Sequence, residues 1–168
     1  MQRRNVVFGL ALLPLAACGG RRATGPDGLP VQTVYDITPE VAQQIPYRML
    51  DGVNALRTAA GVPALTLDAQ LVAAAETHSI DMARQNRPWH FGSNGSSPID
   101  RLRQVGFGGQ LVGETIAESY DTELQTLAAW MDQADTRDVV MDPAARRMGV
   151  AWYQEPAGKI WWTMVLTA

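Results

Sequence analysis

Apolar residues change their spacing several times along this chain, and each spacing predicts a different element. A continuous apolar run extends from Val6 to Ala17. Residues 19–38, with Gly19, Gly20, Gly25, Pro26, Gly28 and Pro30, carry too little apolar surface to pack and predict a flexible tether. Thr38-Pro39 then reads as an N-cap with proline at the first helical position, and Pro46 is expected to interrupt the helix opened there. From Met49, the residues Met49, Val53, Leu56 and Ala60 recur at the three-and-four spacing of a helix with one buried face, closed by Gly61. Val62 to Leu65 is a short extended link, because the residue before a proline avoids the helical region. Asp68 caps a second helix whose Leu71, Ala75, His78 and Met82 share one face. That spacing makes His78 a packing histidine in or beside the core.

Further along, Ser97-Pro98-Ile99-Asp100 combines an N-cap serine, proline at the first position and an acid at the third, so a short helix opens there and closes at Gly106. Thr122-Glu123-Leu124-Gln125 is a second capping box, starting a helix with an apolar stripe of Leu124, Leu127, Ala128 and Met131. Met148 to Tyr153, the turn Glu155-Pro156-Ala157-Gly158, and Ile160 to Leu166 read as a hairpin rich in tryptophan, valine and threonine. Helices come first and strands last, which predicts an α+β fold with helices packed on a small antiparallel sheet.

At 168 residues, 46% hydrophobic and 18% charged, the chain is long enough for one domain with a real core. The apolar run after Arg3 and Arg4 is too short to span a bilayer comfortably and ends in small residues before Cys18, the pattern of a bacterial export signal. Leu15-Ala16-Ala17-Cys18 resembles a lipobox. That resemblance implies residues 1–17 as a lipoprotein signal peptide and 18–38 as a tether lipidated at Cys18, leaving 39–168 as the folded domain. The membrane is then a partner through the anchor, and the domain belongs in the cell envelope, facing the periplasm or the exterior. The plainer alternative is a cleaved secretory peptide with a chance cysteine. Cys18 is the chain's one cysteine, so no disulfide supports the core. Loss of Arg3 and Arg4 leaves 12 basic against 17 acidic residues, a net charge of −5, which argues against nucleic acid.

The candidate chemistry lies between Trp89 and Thr115. His90 and Glu114 bring an imidazole and a carboxylate close to glycine-rich backbone expected to be irregular, the usual start of a metal or general-base site. The plainer reading is a polar pair satisfying buried backbone. Trp89 and Phe91 flank the histidine and are candidates to line an apolar cleft. Ser93, Ser96 and Ser97 lie nearby, but the chain has no Gly-x-Ser-x-Gly elbow for a serine hydrolase. Arg101 and Arg103 are expected on a solvated helix face.

These pieces, in order, resemble the CAP superfamily of cysteine-rich secretory, antigen 5 and pathogenesis-related proteins, in particular its bacterial SCP-like branch. Asn54-Ala55-Leu56-Arg57 with Gly61 to Leu65, then His78 with Asp81-Met82-Ala83, His90 with its serine-proline loop, Gly113-Glu114, Trp130, and the closing strands carry the likeness. It implies an α-β-α sandwich whose cleft holds two histidines and one or two acids, which bind zinc in some members. Position by position, His90 and Glu114 stand for the first histidine and the acid. The second histidine falls at Thr136, the second acid at Gln133, and the asparagine usual after the glutamate at Thr115, which becomes a further lining candidate. Zinc needs three or more good ligands, so the set is degenerate unless Asp132, Asp135 or Asp138 turns inward. The expectation is therefore a non-enzymatic binding module for a lipid-like, cell-wall or protein ligand, without a cofactor. The alternative is a metal-dependent hydrolase with an altered ligand set using His90 and Glu114.

Overall fold

A computed structural model describes residues 34–119 and 121–168. Cys18 and the expected export signal and tether, up to residue 33, lie outside the described residues. Among the described residues, five helices and four strands follow in the order α1 (Pro39–Ala59), β1 (Thr66–Leu67), α2 (Ala69–Gln85), α3 (Pro98–Gln104), β2 (Leu111–Ser119), α4 (Glu123–Asp132), α5 (Ala134–Val140), β3 (Arg147–Gln154) and β4 (Ile160–Thr167). The sheet runs β1-β3-β4-β2, with β1 parallel to β3 and the other pairs antiparallel. Helices cover both of its faces, giving the expected α-β-α sandwich.

β4 shows why the sandwich holds. All eight of its residues are buried, because both sides of the strand meet helices. Trp162, Met164 and Leu166 join Ile45, Met49 and Val53 of α1, Leu127 and Trp130 of α4, and Val140 of α5. On the opposite face, Val165 joins Ala151 of β3, Leu71, Ala74 and Ala75 of α2, and Leu102 of α3. Each large aliphatic side chain buried in these clusters contributes about 1.5–3 kcal/mol. Contact between α2 and β3 is so close that a Cβ at Gly149 would fall on the backbone of Leu71.

Both capping boxes form, at Ser97 with Asp100 and at Thr122 with Gln125, and Asp68 accepts from the Gln70 and Leu71 amides. The hairpin also forms as expected.

Five expectations need correction. α1 carries through Pro46, which removes one intrahelical donor without breaking the helix. Its inward face is Ile45, Met49, Val53 and Arg57, while Leu56 is exposed. Arg57 stays inside because carbonyl oxygens of Pro63, Val140 and Ala145 accept from it at 2.7, 2.7 and 3.2 Å. In α4 the buried residues are Glu123, Thr126, Leu127 and Trp130, so Leu124 and Ala128 of the expected stripe are exposed. The strands do not all come last: Glu114 sits within the regular nine-residue strand β2 rather than on irregular backbone. Finally, residues 34–38 are not free tether. Tyr35 and Ile37 pack against the core, and the Gln154 side chain binds both the Tyr35 carbonyl (2.6 Å) and the Ile37 amide (3.1 Å).

Candidate functional site

Four elements converge on the carboxylate of Glu114. The side chains of a strand alternate between its faces, so Glu114 shares the α2 side of the sheet with its cross-strand partner Val165, and Thr115 shares the opposite side with Met164. α2 supplies His78 on its buried face. Asn86 ends α2 in the left-handed conformation (φ 48°), and the chain turns into the loop that carries Trp89 and His90. The capping box at Ser97 then starts α3 and presents Arg101 inward.

The Glu114 side chain is only 2% exposed, and both of its oxygens are engaged. Arg101 Nη2 donates to Oε2 at 2.6 Å, and His90 Nδ1 lies 2.9 Å from Oε1. Because an ionised carboxylate only accepts, Nδ1 carries the proton of the neutral ring. Arg101 Nη1 donates to the carbonyls of His90 (3.1 Å) and Ser96 (3.2 Å), so one guanidinium ties the loop, α3 and β2 together. Its planar fork suits that task, since it binds the carboxylate and the backbone at once.

His78 Nε2 lies 2.9 Å from the Trp89 carbonyl and 3.7 Å from Glu114 Oε1. A carbonyl can only accept, so Nε2 carries the proton, and Nδ1 is buried without a protein partner. Burial holds the His78 imidazole below its ordinary pKa; Glu114 opposes that shift and Arg101 adds to it. His78 is thus the packing histidine its helical spacing predicts, placed beside the carboxylate.

The other expected site residues separate. Gln133 and Thr136 line a groove of about 480 Å³ beside the outer edge of β2, together with Pro88, Ile116, Ala117 and Trp130. His90 and Glu114 are not among its lining residues. Thr136 Oγ1 donates to the Trp130 carbonyl at 2.6 Å, and Gln133 sits at the junction of α4 and α5. Thr115 is fully buried on the sheet face opposite Glu114 and lines no part of that groove. Trp89 and Phe91 pack against each other with tilted rings (57°), 5.5 Å between centroids, and Phe91 is about half exposed.

The donor set does not fit a divalent cation. Both oxygens of Glu114 have protein partners, and a permanent positive charge lies 2.6 Å from one of them. Asp132, Asp135 and Asp138 are exposed, and Asp135 accepts from the Thr136 amide at 2.9 Å. Among the described residues, no group of three His, Cys, Asp or Glu side chains is arranged to hold a metal.

Arg101 is the residue that sequence reasoning misplaced, expecting it in solvent. Its signal lies in the capping box: with Ser97 as N-cap, Arg101 is the fourth helical residue, the position that packs back against the residue before the cap. Arg103, two positions later, is exposed and pairs with Asp100 as expected of a solvated face.

Comparison with known proteins agrees with this architecture. Residues 50–166 match the cysteine-rich secretory protein family, CAP. YkwD of Bacillus subtilis (strain 168) is 28% identical over 114 residues, covering 68% of this chain and 44% of that protein. This chain therefore spans less than half the length of that curated relative. An extracellular protein containing an SCP domain from Bacillus anthracis str. Ames superposes with a TM-score of 0.69 at 24% identity, covering 80% of this chain and 45% of the other. An outer surface protein of Borrelia burgdorferi gives a TM-score of 0.68 at 14% identity, covering 79% and 95%. The structural likenesses speak to the fold, the family match spans most of the chain, and the chain belongs to the cysteine-rich secretory protein (CAP) family.

Proposed function

We propose that this chain is an exported, lipid-anchored CAP domain that works as a non-catalytic binding module in the cell envelope. The observation that carries this reading is the state of Glu114. A general base needs a free lone pair aimed at a proton, and a metal ligand needs an oxygen facing an open position. Glu114 offers neither, because its side chain is buried and each of its oxygens is held inside the fold by Arg101 or His90. The carboxylate acts as a fastener between β2, α3 and the histidine loop. The groove beside β2 stays open and carries neutral polar groups, Gln133 and Thr136, where the family resemblance puts an acid and a histidine. Such groups suit recognition of a lipid-like, cell-wall or protein ligand by hydrogen bonds and apolar contact.

An envelope location is supported by the lipobox-like residues ending at Cys18 and by similarity to an extracellular protein and an outer surface protein. Replacing Cys18 with alanine is expected to move the protein out of the membrane fraction and remove the added mass of the acyl chains. Unchanged retention and mass would refute the anchor.

The catalytic question is tested by calorimetric titration of zinc into the purified protein and a His90→Ala, Glu114→Ala double variant, with ester and peptide hydrolysis assayed in parallel. The expected result is no binding tighter than millimolar and no hydrolysis dependent on either residue. Micromolar zinc binding lost in the double variant, or hydrolysis lost with it, would replace this reading with the metal-dependent hydrolase.

A further inference from the structure

We infer that the groove beside β2 takes an extended polypeptide segment, which adds to the sheet as a short strand next to β2. This deepens the binding-module reading above and rests on it. β2 is an outer strand of the sheet, paired on one side with β4. The Trp130 indole donates to the Ile116 carbonyl at 3.0 Å, from the side away from β4. The N–H and C=O of one strand residue point the same way, and the direction alternates along the strand. The amide of Ile116 and both backbone groups of Glu118 therefore face the groove. Among the described residues, Trp130 closes the edge at one carbonyl only, and the stretch from Ile116 to Ser119 lines the groove.

The opposing wall is formed by Ala129, Gln133 and Thr136, which leaves a slot flanked by an exposed strand edge, the arrangement used in recognition by strand addition. The lining chemistry suits a peptide. Thr126 is 1% exposed, its hydroxyl has no protein partner, and it belongs to the lining. Gln133 offers an amide, and Thr136, whose hydroxyl proton goes to the Trp130 carbonyl, offers an acceptor oxygen to a backbone amide. Glu118 pairs with Lys159 at 3.2 Å, whereas Asp121, at the same end of the groove, is exposed and has no salt-bridge partner among the described residues. The preferred segment thus has small or apolar residues along the slot and a lysine or arginine near Asp121.

The test is selection from a phage-displayed library of random ten-residue peptides on the purified full chain, followed by titration of the enriched peptides. The expected peptides alternate apolar residues and carry a basic residue at one end. Binding should fall tenfold or more in Glu118→Pro, which removes an outward amide without removing a bond to β4, and stay within about twofold in Glu118→Gln. Ala129→Arg, at an exposed helix position, should also abolish binding by filling the slot. Hydrogen exchange should show the Ile116 and Glu118 amides protected only when peptide is bound. Enriched peptides that bind Glu118→Pro and Ala129→Arg normally, or no enrichment at all, would overturn strand addition. Phosphatidylglycerol vesicles and solubilised cell-wall fragments are titrated in parallel. If either binds and Ala129→Arg blocks it, the binding-module reading survives the loss of the peptide. If nothing binds, both fall.

Discussion

Arg101 does for Glu114 what a bound cation would otherwise do. Removing one partner of a buried ion pair leaves the other charge without compensation, typically at a cost of about 3–5 kcal/mol. Arg101→Ala should lose about that much in urea denaturation, and adding Glu114→Gln should recover part of the loss. A loss below about 1 kcal/mol would mean that the pair is solvated and not the fastener described here. His78 gives a pH dependence with a definite sign. Its folded pKa lies below the ordinary 6.5 because burial disfavours the imidazolium. As pH falls through 6.5 the unfolded chain takes up the proton first, so stability is full above that pH and declines below it. Asp81, where burial is outweighed by hydrogen bonds from Ser93, and Asp100, bonded by Ser97, both lie below 3.8 and add their losses only at lower pH. The denaturation midpoint should therefore drop between pH 7 and 5 and flatten in His78→Gln; an unchanged slope in that variant would assign the effect elsewhere. At this scale the pairing of His90 with Glu114 and the packing role of His78 were legible in the sequence. Arg101 was not, because charge alone does not say which way a residue on a two-turn helix faces. Its partner lies 13 positions away on a strand that the pattern did not predict.

The elements that were read correctly are those whose signals are local. Caps at Thr38, Asp68, Ser97 and Thr122 and the turn before Gly158 are matters of a few adjacent residues, and all of them form. β2 escaped notice because glycines precede and interrupt it and it carries Glu114, Thr115 and Glu118, so its apolar alternation is weak; the partner β4 gives it its form. The stripe of α4 was misread because Glu123 is buried, held there by Tyr35 (2.7 Å) and Arg48 (3.3 Å). Burial and the neighbouring Glu123 push the Tyr35 phenol up to about 12, so it remains a donor at any physiological pH. A domain that begins at residue 39 forfeits this bond and both Gln154 bonds. It should be less stable than one that begins at residue 34 by about 1.5–4.5 kcal/mol, at the usual worth of about 0.5–1.5 kcal/mol for each of these three hydrogen bonds. Equal stability of the two would show that residues 34–38 contribute nothing. At the α2–β3 contact, Gly149→Ala should cost about 1–3 kcal/mol by overpacking, measured by thermal denaturation.

Across the whole molecule, β4 joins what would otherwise be two cores. Its even-numbered residues pack against α1, α4 and α5, and Val165 packs against α2, so neither helical layer keeps its cluster once the strand is lost. Unfolding followed by tryptophan fluorescence and by far-ultraviolet circular dichroism should give coincident transitions. Two separated midpoints would mean that one layer outlives the other. The sandwich as a class was legible from the family resemblance. The order of its strands was not, since β1 pairs with β3 across 80 residues, beyond the reach of any local pattern. The clasp at the start of the domain has a mechanical meaning. Gln154 grips the Tyr35 carbonyl and the Ile37 amide from the end of β3, and Tyr35 is held in turn by Glu123 on α4. Tension on the chain ahead of Val34 therefore enters the fold through a sheet strand and a core helix at once, and must break these side-chain bonds before it can peel α1 from the sheet.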